Sequence, residues 1–224
     1  MRRAVFALLL ASVPSLAAAG PIEDQQIWVN VTAMGSLKDR LIYFAELQPR
    51  TGDGAERVSQ VLMRGALGWQ FSKAVSLYGG YAHIESPVRN GPDTNEERLF
   101  TQLTWQMGTV AGGSVSTRTR LEHRRLSTGG DTGWRLRSML RYVHPITAPD
   151  KPRALVWAEP FVAFNDTDWG ARAGFDQLRS FAGLEVPLPG RSTVEVGYLN
   201  QAVNAAGPRN RMNHVASLTI FIRP

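Results

Sequence analysis

Along most of this chain, apolar and polar residues alternate with a period of two. In the stretch WRLRSMLRYVH (134–144), Trp134, Leu136, Leu140 and Tyr142 share one parity, and Arg135, Arg137 and Arg141 share the other. An extended strand sends successive side chains to opposite faces. One face is therefore greasy with an aromatic at each end, and the other carries three guanidiniums. The division recurs along the chain. Val61, Met63, Leu67 and Trp69 oppose Gln60, Arg64 and Gln70; Leu99, Thr101, Leu103, Trp105 and Met107 oppose Glu96, Arg98, Gln102 and Gln106. Val115, Thr117, Thr119 and Leu121 oppose Arg118, Arg120, Glu122 and Arg124; Leu178, Ala182 and Leu184 oppose Gln177, Arg179 and Glu185; Val194, Val196 and Tyr198 oppose Thr193 and Glu195.

This periodicity predicts strands near 26–35, 38–48, 58–70, 74–85, 96–108, 114–125, 132–144, 153–164, 174–186, 192–203 and 212–223, and no helix. Several are about twice the length of a soluble strand, which has about five or six residues, and match the length of a tilted membrane strand. Trp134 and Tyr142 stand roughly 26 Å apart along an extended strand, or roughly 20 Å along the normal of a bilayer at a tilt of about 40°. That is close to the spacing of the two aromatic girdles of an outer-membrane barrel. Tight connections (FSKAV, GTVAGG, PLPGR) alternate with longer polar ones (SPVRNGPDTNEE, RLSTGGDTG, NDTDWGARAG, NAAGPRNR). The expected fold is all-β, an antiparallel transmembrane β-barrel of about 10–12 strands. Bacterial barrels are usually even-stranded. Residues 20–35 are therefore expected either in the lumen or periplasm, leaving ten strands, or in a barrel with an unseen twelfth. Pro160 inside EPFVAF is expected to mark a bulge or irregularity, because proline removes a ladder donor.

The start of the chain adds a compartment. Met1-Arg2-Arg3, the apolar AVFALLLASVPSL and Ala17-Ala18-Ala19 form the basic, apolar and small-residue regions of a secretory signal peptide at 1–19. A single barrel domain then covers 20–224, exported to the outer membrane of a Gram-negative bacterium. There is no Cys, which removes disulfides, thiolate metal sites and a lipidated cysteine. The net charge is +6. The arginines are spread at strand spacing rather than gathered into a block, so nucleic acid is not an expected partner.

Asp24, Gln26 and Trp28 form a D-x-Q-x-W pattern. With Arg98 on its strand, Glu159-Pro160-Phe161 and the VEVGY at 194–198, it resembles the bacterial domain-of-unknown-function family 2490. The resemblance implies a predicted outer-membrane barrel with no assigned activity, and it supplies no catalytic residues. The chain departs from the usual barrel ending on an aromatic, closing instead as Phe-Ile-Arg-Pro.

Arginine on the lipid face costs about 2–4 kcal/mol at the bilayer midplane, so the charged parity must face the lumen. Lumen candidates are Arg64, Glu96, Arg98, Arg118, Arg120, Glu122, Arg124, Arg135, Arg137, Arg141, Glu159, Arg179, Glu185 and Glu195, with Glu85 as a further carboxylate partner. Two readings stay open: a structural plug of paired side chains, or a narrow pore or cavity favouring a small anion. Some of the arginines between 118 and 141 are also placed to reach lipopolysaccharide phosphates at a rim. Trp69, Trp105, Trp134, Tyr142 and Tyr198 are girdle candidates. Asp24 and Gln26, lying before the first predicted strand, are candidates for sealing the periplasmic mouth or binding a partner. The expected partners are the bilayer, lipopolysaccharide, the barrel-insertion machinery and a small anionic solute, with no cofactor.

Two alternatives compete. A lipid hydrolase of the phospholipase or lipid A deacylase type needs Ser beside His, but His83 with Ser86 and His214 with Ser217 have a spacing that puts them on opposite strand faces. The other alternative is a soluble exported barrel that binds a ligand. No metal site is expected: the four His are scattered, and Asp166-Thr167-Asp168 lacks the glycine and final Glu of a calcium loop.

Overall fold

The computed structural model describes residues 20–224 apart from 149, 206 and 208; the signal peptide expected at 1–19 lies outside the described residues. Eleven strands follow one another: β1 (Ile22–Lys38), β2 (Leu41–Gly52), β3 (Arg57–Gln70), β4 (Val75–Ser86), β5 (Thr94–Val110), β6 (Gly113–Leu126), β7 (Thr132–Pro145), β8 (Arg153–Ala163), β9 (Gly174–Pro187), β10 (Thr193–Val203) and β11 (Arg211–Ile222). Each pairs with its sequence neighbours, and β1 pairs with β11 to close a barrel. The described residues contain no helix.

Eleven strands fall within the expected range of about ten to twelve, and the count is odd where an even one was expected. Residues 22–35 are part of the barrel wall and not a separate segment inside or outside it: β1 is a full stave, bonded to β2 on one side and β11 on the other. Because eleven is odd, the first and last strands point the same way. They pair in parallel, from Ile22 beside Arg211 to Ala33 beside Ile222, while every other pairing is antiparallel. The closure leaves no free edge to template aggregation. β1 qualifies as wall on its own pattern, since Trp28 and Thr32 are buried inside while Ile27 on the opposite parity is exposed.

Connections sort by end. The gaps 39–40, 71–74, 111–112 and 188–192 lie at one end, with the longer 146–152 and the C-terminus. The gaps 53–56, 87–93, 127–131, 164–173 and 204–210 lie at the other, with the start of β1. Ala111 and Gly112 both take positive φ, 48° and 80°, as a two-residue hairpin turn requires. At the long-loop end two loops clasp each other. Asp168 accepts the Gly130 and Asp131 amides at 2.7 and 3.2 Å, and Asp131 accepts the Asp168 amide at 2.8 Å. Pro160 interrupts the β7–β8 ladder between Arg137–Phe161 and Leu140–Ala158, and β8 shifts register against β9 just after it.

Polarity is inverted relative to a soluble barrel. The outward positions Leu67, Leu99 and Leu140 are 58%, 60% and 55% exposed, whereas the inward Arg120 and Glu122 are 2% and 1% exposed. The interior also holds apolar filling. Ile42, Phe44, Leu62, Ala66, Tyr78, Ala82, Ile84 and Phe100 form a cluster on β2–β5; Trp28, Val143, Leu155, Phe181, Leu199 and Val215 form a second. Gly80 lies beneath Phe100, where any Cβ would collide with the ring.

Candidate functional site: the arginine-rich lumen

Period-two geometry, clearest on β5–β9, projects the charged parity into the lumen, and the lumen candidates from the sequence lie there except the further partner Glu85. Glu122 is the hub: Arg135 donates Nε and Nη2 to its Oε2 at 3.0 and 2.6 Å, Arg137 Nη1 reaches Oε1 at 3.5 Å, and Arg120 Nη1 stands 3.9 Å from Oε1. Glu159 accepts Arg137 Nε at 3.0 Å and Arg118 Nη2 at 3.1 Å. Glu96 takes a fork from Arg98, 2.7 Å on each oxygen, and a bond from Arg124 Nε at 2.5 Å. Glu185 and Glu195 share Arg141 Nη2 at 2.5 and 2.7 Å, and Glu185 also pairs with Arg153 at 2.8 Å. The planar guanidinium fork suits such paired carboxylates better than an ammonium does.

Four partners escaped the sequence reading, Arg153 on Glu185 being one. Glu46 pairs with Arg64, Asp176 accepts Arg135 Nη1 at 3.0 Å, and Arg50 lies inside with its guanidinium donating to Gln60 and Gln48 at 2.9 and 2.7 Å. Glu46 and Arg50 sit on β2 in LIYFAELQPRTG, where Ile42 and Phe44 share their inward parity, so the alternation carries no clean sign. Glu85 is corrected: it takes the outward parity of β4, opposite to the buried Ala82 and Ile84. The rim reading of the arginines between 118 and 141 is likewise corrected, because Arg118, Arg120, Arg124, Arg135, Arg137 and Arg141 all turn inward to carboxylates or Gln102.

The D-x-Q-x-W residues lie within β1, not before it, at the long-loop end rather than the end that holds the C-terminus. They form a chain on one inward face: Trp28 Nε1 donates to Gln26 Oε1 at 2.8 Å, Gln26 Nε2 donates to Asp24 Oδ2 at 2.7 Å, and Asp24 Oδ1 accepts the Gly54 amide at 2.8 Å. The i, i+2, i+4 spacing makes this possible. The motif ties a buried tryptophan to the β2–β3 turn.

Trp28 is 3% exposed, and two guanidiniums pack on its ring: Arg50 at 3.8 Å and Arg179 at 5.0 Å from the centroid. Arg179, Arg135 and Arg137 also lie 4.8, 5.1 and 4.9 Å from the centre of Phe161. Cations over aromatic faces gain about 0.5–2 kcal/mol each. These layers form a waist. On the short-turn side lies a cavity of 260 Å³ lined by seven Arg and four Glu; on the long-loop side lies one of 330 Å³ lined by seven Arg and one Glu. Trp28, Arg50, Arg137 and Arg179 border both.

The girdle candidates all face outward. Trp69 and Trp105 (46% and 44% exposed) and Tyr142 lie toward the short-turn end, Trp134 toward the long-loop end, and Tyr198 midway along β10. The histidines are outward too, each with a neighbour that is not serine. His83 Nδ1 meets Glu97 at 2.7 Å, His214 meets Tyr198 at 2.6 Å, His144 meets Tyr142 at 3.1 Å, and His123 packs edge-on against Trp134. Ser86 bonds to Gln60, and Ser217 lines the short-turn cavity, so neither histidine–serine pair meets. Asp166 and Asp168 serve as loop acceptors for backbone amides.

A closed, eleven-stranded barrel with an apolar exterior and an interior of paired arginines and carboxylates defines the class. The chain belongs to the family described as protein of unknown function (DUF2490), whose model matches residues 25–213. It is also similar to an uncharacterized protein of Methylorubrum extorquens, 44% identical over 217 residues, covering 96% of this chain and 95% of the relative. No solved structure matches it.

Proposed function

We propose that this chain is an outer-membrane barrel whose lumen is an anion-favouring cavity, held nearly closed by its own side chains. The observation that carries the reading is the inversion of polarity: leucines, valines and aromatics cover the outside, while the ionic network is enclosed. An outward belt of this composition is stable against acyl chains and poorly suited to water. Its expected surroundings are the bilayer and lipopolysaccharide, reached through the barrel-insertion machinery. The surplus of arginine over glutamate, greatest in the long-loop cavity, favours a small anionic solute. The Trp28–Phe161 waist makes the lumen a cavity more than an open channel.

Fractionation tests the reading. The protein is expected in the outer-membrane fraction, as a band whose electrophoretic mobility shifts on boiling, with at most a small anion-biased conductance in planar bilayers. Release with the periplasmic fraction without detergent contradicts it, as does a large cation-selective conductance.

A further inference from the structure

The six inward glutamates 46, 96, 122, 159, 185 and 195 each have an arginine within ion-pair distance. The reverse does not hold. Among the described residues, no carboxylate lies within ion-pair distance of Arg50 or Arg179, although each is only 8% exposed. The Nε atoms of both are buried with no hydrogen-bond partner in the protein. Both guanidiniums pack on the ring of Trp28, 3.8 and 5.0 Å from its centroid, so the two like charges stand within about 9 Å of each other, a range over which buried charges are weakly screened. Glu159 is the cross-strand neighbour of Arg179 but accepts its hydrogen bonds from Arg118 and Arg137; buried guanidiniums side by side with no directly paired carboxylate are costly unless a ligand neutralises them. Both open onto the two cavities, 260 and 330 Å³, one on each side of the waist.

The geometry points to a binding site for a small multivalent oxyanion of the phosphate class, held at the waist between Arg50 and Arg179 against the edge of Trp28. The inference rests on the anion-favouring lumen proposed above and assigns it a locus. Buried guanidinium nitrogens without a hydrogen-bond partner also occur on Arg64, Arg118, Arg120 and Arg153, but those arginines each have a carboxylate within ion-pair distance, whereas Arg50 and Arg179 have none. Guanidinium donors match phosphate oxygens by planar, charge-assisted bonding. The Asp24–Gln26–Trp28 chain then acquires a purpose, since it fixes the indole on which both arginines rest. A lipid headgroup is excluded as the source by enclosure within the wall, so the ligand arrives as a free solute, from the long-loop side where the lining carries a single glutamate.

The test uses the full mature barrel folded in detergent and inorganic phosphate as the probe, by isothermal calorimetry and by the shift in unfolding midpoint. Saturable binding at one site per chain is expected, with unfolding delayed by phosphate and not by chloride at equal ionic strength. The double variant R50Q/R179Q, checked for the heat-modifiable mobility of a folded barrel, is expected to lose at least tenfold in affinity. R125Q, on the outward face, is expected to bind as wild type. Because the double variant removes two packed side chains, the phosphate-dependent shift of the unaltered protein serves as a second readout that needs no mutation. Equal stabilisation by chloride and phosphate overturns this inference and leaves the anion-favouring lumen standing. No stabilisation by any anion overturns both. Wild-type affinity in folded R50Q/R179Q overturns the assignment to these two residues.

Discussion

The wall from β5 to β9 and the wall from β2 to β5 bound the same lumen and fill it by opposite means. On the first, Glu122 and Glu159 gather Arg118, Arg120, Arg135 and Arg137 into one network through shared bonds. On the second, Ile42, Phe44, Leu62, Ile84 and Phe100 pack as an ordinary hydrocarbon core, with Phe44 and Phe100 stacked at 6.0 Å. The difference lies in how each tolerates loss. A hydrocarbon contact removed costs roughly in proportion to its volume. A carboxylate removed from a buried network strands the cations it served.

Glu122→Gln therefore has the largest expected effect, about 3–5 kcal/mol lost from the stability of the folded barrel, read by denaturant unfolding in detergent. A loss no greater than that of an exposed substitution breaks the contrast. The next test is coupling. Glu122 and Glu159 share Arg137, at 3.5 and 3.0 Å. The double variant E122Q/E159Q should thus depart from additivity by about 1–3 kcal/mol. Purely additive losses show two independent pairs, not a network. In the apolar wall, Ile84→Val, at a side chain 1% exposed, is expected to cost only about 1 kcal/mol, and to add simply to Glu122→Gln.

The smallest effect belongs outside both walls. Hydrogen bonding from Arg57 at 2.5 Å, together with its charge, holds the Asp53 carboxyl below its ordinary value. A depressed folded-state value stabilises above the unfolded pKa and is lost as pH falls through the folded one. Protection from hydrogen exchange at the β2–β3 turn, taken relative to the intrinsic rate at each pH, should fall below about pH 4 in wild type. Asp53→Asn should remove that acid dependence.

The two walls also differ in what the amino-acid order discloses. On β6 and β7, arginine and glutamate alternate with leucine, threonine and tryptophan, so the faces, and the pairing of inward arginines with inward glutamates as a class, are legible before any coordinates. On β2 and β4 both parities are largely apolar: Ile42, Phe44 and Tyr78 face inward, while Leu47, Leu77 and Tyr81 face outward. Period two then fixes a strand but not its inside, which is why Glu46 and Arg50 went unread. Glu85 misled because its charge lies outward near a strand end. The strand count was present in the pattern, since eleven segments alternate; an even-number expectation argued against β1, and only the parallel pairing with β11 resolves its place. The waist was hidden for a different reason. Trp28, Arg50, Phe161 and Arg179 come from four strands, and no local periodicity links them.

The most direct measurement concerns which side of the wall meets lipid. The chain contains no cysteine, so single cysteines can be placed without background. Nitroxide labels at Leu140→Cys, outward on β7, and Ser116→Cys, lining the short-turn cavity, are read in liposomes for collision with oxygen and with a water-soluble nickel chelate. High oxygen and low nickel accessibility at 140, with low oxygen accessibility at 116, is the predicted result. Free access of nickel to position 140 in the folded protein would contradict the inverted barrel and every role assigned to its lumen.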